Sequence, residues 1–348
     1  MIGDVLVSSI LCEHIKSHDE NFKVHYMVNE HTLAVVERNP FIDKLVVFKP
    51  EYKSDKARFL TFLRGIRNEG YDTVIDVYGK LESGLTTLFS GASAKIAYEK
   101  WYSKALYTHR FPLSPKIEGE TGNTVEDRLG LLKPLGIGPV DRSIRPKIYL
   151  GENEIESARQ FLDGHGVNRQ SPLIMLNILG SSPAKTYPLR YMAKLIDAIT
   201  ARYKAQLLFN YIPSQAPLAE ELYGYCSERS RESIIFDAFA PSLRAFLGLL
   251  SHCDALIGNE GGAVNMAKAL SIPTFSIYSP RISKMAWHTF AGERNLAVHL
   301  GDYFPQQIEN KSRKDLGKAV PELYEKFEPG LFFELLTEFL DSQVLSDQ

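Results

Sequence analysis

Short apolar runs alternate along this chain with longer stretches in which apolar side chains recur every three to four positions. Val5 to Lys16, with Val5, Ile10, Leu11 and Ile15 on one side, predicts a helix, and Lys23 to Val28 a strand. A short helix from His31 to Arg38 stops near Pro40, and Asp43 to Phe48 returns as a strand. Next come a basic amphipathic helix from Lys56 to Asn68, a strand from Thr73 to Val77, a helix from Leu81 to Phe89 and a strand from Lys95 to Tyr98. This βαβα order predicts a parallel sheet with helices on both faces. Met1 to Asp4 reads as the end of a turn, so no strand precedes the first helix where an α/β domain would normally open with one.

From Trp101 to Leu150 the pattern loosens around Pro112, Pro115, Pro134, Pro139 and Pro146, with one helix expected from Thr124 to Lys133. The end of this region is the expected linker. A second alternating series follows, with helices over Asn153 to Asp163, Pro188 to Tyr203, Leu218 to Cys226 and Ser242 to His252. Its strands are Leu173 to Ile178, Gln206 to Phe209 and Ser233 to Phe236. Two doubly wound halves predict two Rossmann-like domains facing a cleft, residues 1–150 and 151–320. A helical tail, 321–348, is expected to pack back on the first domain.

The most informative stretch is Asp254 to Pro280. Ala255-Leu256-Ile257 stops at Gly258, Asn259 to Gly262 make a turn, Val264, Met266, Ala267 and Leu270 form a helical stripe, and Ile272 to Tyr278 is a strand again. A glycine turn opening a helix presents free backbone N–H groups to an anion, and Glu260 beside it can accept from hydroxyls. Phosphate and sugar together suit such a corner, although Gly261 and Gly262 could serve helix–sheet packing alone. Ser181, Ser182 and Lys185 follow the strand ending at Ile178 and precede a helix, an arrangement that suits a diphosphate. Carboxyl ends of parallel strands converge, so this loop and the Glu260 turn should face one crevice.

Composition narrows the class. The 348 residues are 44% hydrophobic and 24% charged with a net charge of −2, which fits two soluble domains and offers no global attraction for nucleic acid. Cys12, Cys226 and Cys253 have no metal-ligand spacing and suggest a reducing, cytoplasmic setting. No run is long enough to span a membrane. Lys95 to Phe111 interleaves Lys100, Lys104 and Arg110 with Trp101, Tyr102 and other aromatics. That mixture suits an anionic lipid-linked acceptor or a bilayer surface, or equally a packed aromatic loop; Arg64 and Arg67 admit the same two readings. No His sits in a metal or triad pattern, and His288 alone is expected near the crevice. No G-x-G-x-x-G follows an early strand, which disfavours a nicotinamide dehydrogenase.

Four segments resemble glycosyltransferase family 9, the ADP-heptose:lipopolysaccharide heptosyltransferases: Gly3-Asp4-Val5-Leu6, Tyr71 to Gly79, Asn177 to Pro188, and Ser251 to Pro280. The resemblance implies the GT-B fold, here with the first strand of the N-terminal domain missing. It implies an inverting, metal-independent transfer of heptose from ADP-heptose to a lipopolysaccharide-core-type acceptor, with no cofactor. Asp4 falls on the general base, an assignment that competes with a simple helix cap. Ser181, Ser182 and Lys185 fall on the diphosphate site, Glu260 on a sugar-binding Asp, and Gly261 and Gly262 on the phosphate-facing turn. Asn265 stands where the family commonly has His, Gly261 where it has Thr, and Gln215 where it has a nucleoside-contacting Glu. The implied partners are a nucleotide sugar, a lipid-linked saccharide and the inner-membrane surface. The departures keep two alternatives open, a non-catalytic nucleotide-sugar binder and a GT-B transferase using another donor. A hexosamine epimerase of similar fold lacks its acid and His pattern here.

Overall fold

A computed structural model describes residues 1–101, 103–113, 122–138 and 140–344, and the chain divides into two compact units between Pro146 and Lys147. Tyr102, Pro115, Pro139 and the last four residues of the expected tail lie outside the described residues.

In the first unit β1 (His25–Asn29) and β2 (Lys44–Phe48) form one parallel pair. β3 (Thr73–Asp76), β4 (Ala94–Tyr98) and β5 (His109–Phe111) form a separate parallel sheet. These five strands share no common ladder, so the sheet is interrupted between β1 and β3. The opening helix runs Ile2–His18 and buries Leu6, Val7, Ile10 and Leu11. It starts a turn earlier than the sequence pattern indicates, because the Val5 N–H already donates to Met1 C=O at 3.2 Å. The helices Lys56–Asn68 and Leu81–Phe89 have the expected bounds. β5 is only three residues long, too short for any periodicity to reveal.

The second unit holds β6 (Leu173–Asn177), β7 (Gln206–Phe209), β8 (Ile234–Ile235), β9 (Ala255–Asn259), β10 (Thr274–Ile277) and β11 (Asn295–Val298). They form one parallel sheet in the order β11-β10-β9-β6-β7-β8, the doubly wound Rossmann arrangement. Every residue of β6, β9 and β10 is buried, as expected for central strands covered on both faces.

The C-terminal segment corrects an expectation. It belongs to the second unit, where Phe327, Phe332, Leu336, Phe339 and Leu340 join the same core as Ile174, Tyr187 and Phe275. The Tyr187 hydroxyl donates to Phe327 C=O at 2.5 Å, and Phe275 packs against both Phe332 and Phe339. An apolar helical stripe demands a partner surface without specifying which one; this stripe covers its own unit's sheet. Phe332→Ala should cost about 3–5 kcal/mol in a denaturant titration. A loss below about 1 kcal/mol would mean that the tail contributes little to this core.

Candidate functional site

Between β6 and β9 the strand order reverses, since the chain leaves β6 toward β7 and leaves β9 toward β10. Connections that diverge in this way leave a crevice at the carboxyl ends of the two strands. Both strands end in asparagine, and the two side chains lock the loops that follow. Asn177 Nδ2 donates to Asn259 C=O at 2.6 Å, and Asn259 Nδ2 donates to Asn177 C=O at 2.9 Å. The other side of the Asn259 amide, Oδ1, accepts from Tyr187 N–H at 2.6 Å, while Asn210 Nδ2 donates to Asn177 Oδ1 at 2.8 Å. Fully satisfied, this buried network holds three loop starts rigidly. Sequence reasoning assigned these asparagines no role, yet an Asn ending each of two wholly apolar strands is a signal in itself.

The loop after β6 folds back sharply. A Cβ added at Gly180 would lie 2.2 Å from Lys185 C=O, so only glycine permits the approach. Gln215 Nε2 donates to Gly180 C=O at 3.2 Å, and the Ser279 hydroxyl donates to Ala184 C=O at 2.6 Å. The loop is thereby gripped from β7 on one side and β10 on the other. Ser181 and Ser182 remain exposed on its outer edge.

The loop delivers Lys185 Nζ to 3.0 Å from Glu260 Oε1. Glu260 is buried, with 9% of its side chain exposed, whereas Lys185 keeps 28%. The approach is an ion pair by distance but not a hydrogen bond by angle, and Glu260 Oε1 has no hydrogen-bond donor among the described residues. Burial and the nearby Glu260 charge push the Tyr278 hydroxyl well above its ordinary range, so it stays a neutral neighbour. After Glu260, Gly261 takes φ +151°, a conformation closed to other residues, and opens the helix Gly262–Ala269 without a side-chain cap. Its first N–H groups therefore have no capping partner from Gly261. Asn265 Nδ2 donates to Gly261 C=O at 3.1 Å and braces the turn.

His288 packs edge-on to Tyr278, 6.1 Å between ring centres, and burial beside Lys268 and Lys284 pushes its pKa down to about 3. The folded form holds it neutral, whereas an unfolded His protonates near its ordinary value of 6.5. The stability it contributes is therefore present above pH 6.5 and drains away as the pH falls toward 3. His288→Gln should flatten the acid limb of the stability–pH curve; an unchanged slope would refute this origin.

In the first unit Asp4 occupies the first turn of its helix, three residues inside the cap position held by Met1. The capping role is thus not the one it plays. Its carboxylate accepts from Arg128 Nη2 at 3.2 Å, and the amino terminus lies 3.7 Å away. Arg128 is buried and further anchored to the Ser8 hydroxyl and Thr124 C=O, each at 2.7 Å. No local pattern could have signalled Arg128. Lys100 donates to Gly79 C=O at 2.8 Å, Arg110 lies 3.8 Å from Glu99, Lys104 is exposed, and Trp101 is 94% exposed. Among the described residues, no three His, Cys, Asp or Glu side chains are grouped to hold a metal ion.

The sequence profile of glycosyltransferase family 9 (heptosyltransferase) matches residues 59–301. Lipopolysaccharide heptosyltransferase 3 of Escherichia coli is 21% identical over 322 residues, covering 90% of each chain. The crystal structure of a family 9 glycosyl transferase from Veillonella parvula superposes with a TM-score of 0.75 at 17% identity, covering 94% of this chain and 95% of that one. The E. coli heptosyltransferase WaaC, solved with ADP-2-deoxy-2-fluoro heptose, gives 0.63 at 14% identity, covering 94% and 96%. The fold is that of the GT-B heptosyltransferases, built from Rossmann-like units. With the family profile spanning well over half of its length, the chain belongs to glycosyltransferase family 9 and is a glycosyltransferase.

Proposed function

We propose that this protein transfers heptose from ADP-heptose to a lipid-linked saccharide of the lipopolysaccharide-core type, with inversion and without a metal ion or other cofactor. The observation that carries this reading is the Lys185–Glu260 pair at the β6/β9 switch point, a cation and an unsaturated buried carboxylate in one crevice. Lys185, Ser181, Ser182 and the N–H groups of Gly261 and Gly262 suit a diphosphate, and Glu260 Oε1 suits a sugar hydroxyl. A lysine charge and helix-end dipoles offer the leaving diphosphate the positive potential that a metal would otherwise supply. Gln215 and Asn265 border the same crevice and brace it. The relative solved with an ADP-heptose analogue supports the choice of donor.

Asp4 is the proposed base. It takes the proton of the acceptor hydroxyl as that oxygen bonds to the anomeric carbon, while the bond from that carbon to the diphosphate oxygen breaks and ADP departs. The acceptor side is proposed to lie on the first unit, with Lys100, Trp101, Lys104 and Arg110 around it, and the enzyme to work in the cytoplasm against the inner membrane. Release of ADP from ADP-heptose in the presence of a core-type acceptor tests the reading. Stabilisation by ADP without turnover would favour the non-catalytic binder, for which Gly261 and Asn265 in place of Thr and His speak. Turnover with a different nucleotide sugar would redirect the donor assignment.

A further inference from the structure

Two adjacent helices of the first unit carry an inverted and charged surface that the transfer chemistry does not use. The helix Leu81–Phe89 buries Ser83, Gly84, Thr86 and Thr87. It turns Leu81, Leu88 and Phe89 outward at 73%, 41% and 45% exposure. The buried hydroxyls cost little, since Thr86 and Thr87 donate to the carbonyls of Glu82 and Ser83 at 2.8 and 2.9 Å. Nothing comparable offsets the exposed leucine and phenylalanine face, which is the reverse of an ordinary surface helix.

The helix Lys56–Asn68 packs beside it and contains Lys56, Arg58, Arg64 and Arg67 with no acidic residue. Arg58 is paired with Glu51 and Asp55, but Lys56, Arg64 and Arg67 enter no ion pair among the described residues. Lys56, Leu60, Arg64 and Arg67 follow one another at spacings of a helical face. Leu60, Leu63, Leu88 and Phe89 line a groove of about 400 Å³ with Arg64 and Arg67 on its sides.

We propose that this face docks the protein on an anionic phospholipid bilayer, with the Leu88–Phe89 stripe at the acyl boundary and the arginines among the lipid phosphates. A bilayer surface offers apolar depth and negative charge in one layer, which matches this mixture. The core of a protein partner's interface is depleted of charge. A second copy of the chain would set arginine against arginine across a twofold axis. With a net charge of −2 overall, the attraction has to be local, and these unpaired cations supply it. The purpose of the docking rests on the lipid-linked acceptor proposed above; its chemistry rests on the helix pair alone.

Sedimentation of the full chain with vesicles of about 30 mol % phosphatidylglycerol in phosphatidylcholine, against phosphatidylcholine alone, tests this. The wild type should bind the anionic vesicles and lose most of that binding at about 0.5 M salt. Arg64→Gln/Arg67→Gln should weaken partitioning about thirty-fold, and Leu88→Ser/Phe89→Ser at least about ten-fold. Neither pair should change transfer to a short delipidated acceptor in solution, so failure here is distinguishable from failure of the transferase reading. The proposal is overturned if the wild type ignores anionic vesicles, if either pair leaves binding intact, or if the Leu88 and Phe89 changes instead dissolve a dimer.

Discussion

Lys185→Ala should remove protection by ADP in a thermal-shift measurement and lower kcat/KM for transfer by about 10²–10³-fold. The wild type, at ADP a hundred times its dissociation constant, should gain about 2.7 kcal/mol. The variant should gain nothing measurable. Two effects are tangled in this substitution, because Lys185 is also the partner of Glu260 at 3.0 Å. Removing the lysine leaves a buried carboxylate uncompensated, at a stability cost of about 2–3 kcal/mol, below that of a fully buried pair because Lys185 keeps contact with water. Lys185→Ala/Glu260→Gln separates them. It should recover most of the lost stability while remaining blind to ADP and inactive. A single variant that ADP still protects would sink the diphosphate assignment, whatever its activity.

Asp4→Asn should lower kcat by about 10²–10⁴-fold while leaving ADP binding near that of the wild type and the protein folded at the assay temperature. The substitution is isosteric, and its amide oxygen can still accept from Arg128. Arg128 keeps its hydrogen bonds to Ser8 and Thr124 C=O but loses its counter-charge. A stability cost of about 1–2 kcal/mol therefore accompanies the substitution, discounted because Asp4 is 30% exposed. Loss of turnover with the fold intact is the result a base predicts and a merely structural carboxylate does not. A kcat within about three-fold of the wild type would remove Asp4 from the reaction.

How much of this was readable in the chain differs between elements. In the β9–turn–helix unit the strand runs on through Gly258 and Asn259, which the sequence pattern places at its end and in the turn. The order of the unit is legible all the same, because Gly261 and the stripe from Val264 to Leu270 answer to constraints within a few residues. The bounds of Lys56–Asn68 and Leu81–Phe89 were legible for the same reason. The face that Leu81–Phe89 exposes was not, since helical spacing locates a stripe without saying whether protein covers it. The tail's partner is illegible on equal grounds: its apolar positions require burial, and only the packing of Phe332 and Phe339 on Phe275 says that the second unit, not the first, provides it. β11 went unread because four residues at a sheet edge carry too little periodicity.

Within the site, glycines and charges stood out while the asparagines that position them did not. Asn177 and Asn259 act on each other's carbonyls across 82 residues of chain, and Arg128 reaches Asp4 across 124. Residue order alone settled the kinds of element, the turns that demand glycine and the presence of a cation and a carboxylate after two buried strands. Those properties depend on backbone sterics and side-chain spacing over one or two turns. Folding alone decided that Lys185 meets Glu260, that Arg128 holds Asp4 and that the tail closes its own unit. Such pairings come from strand order and packing between distant segments, which no local pattern encodes.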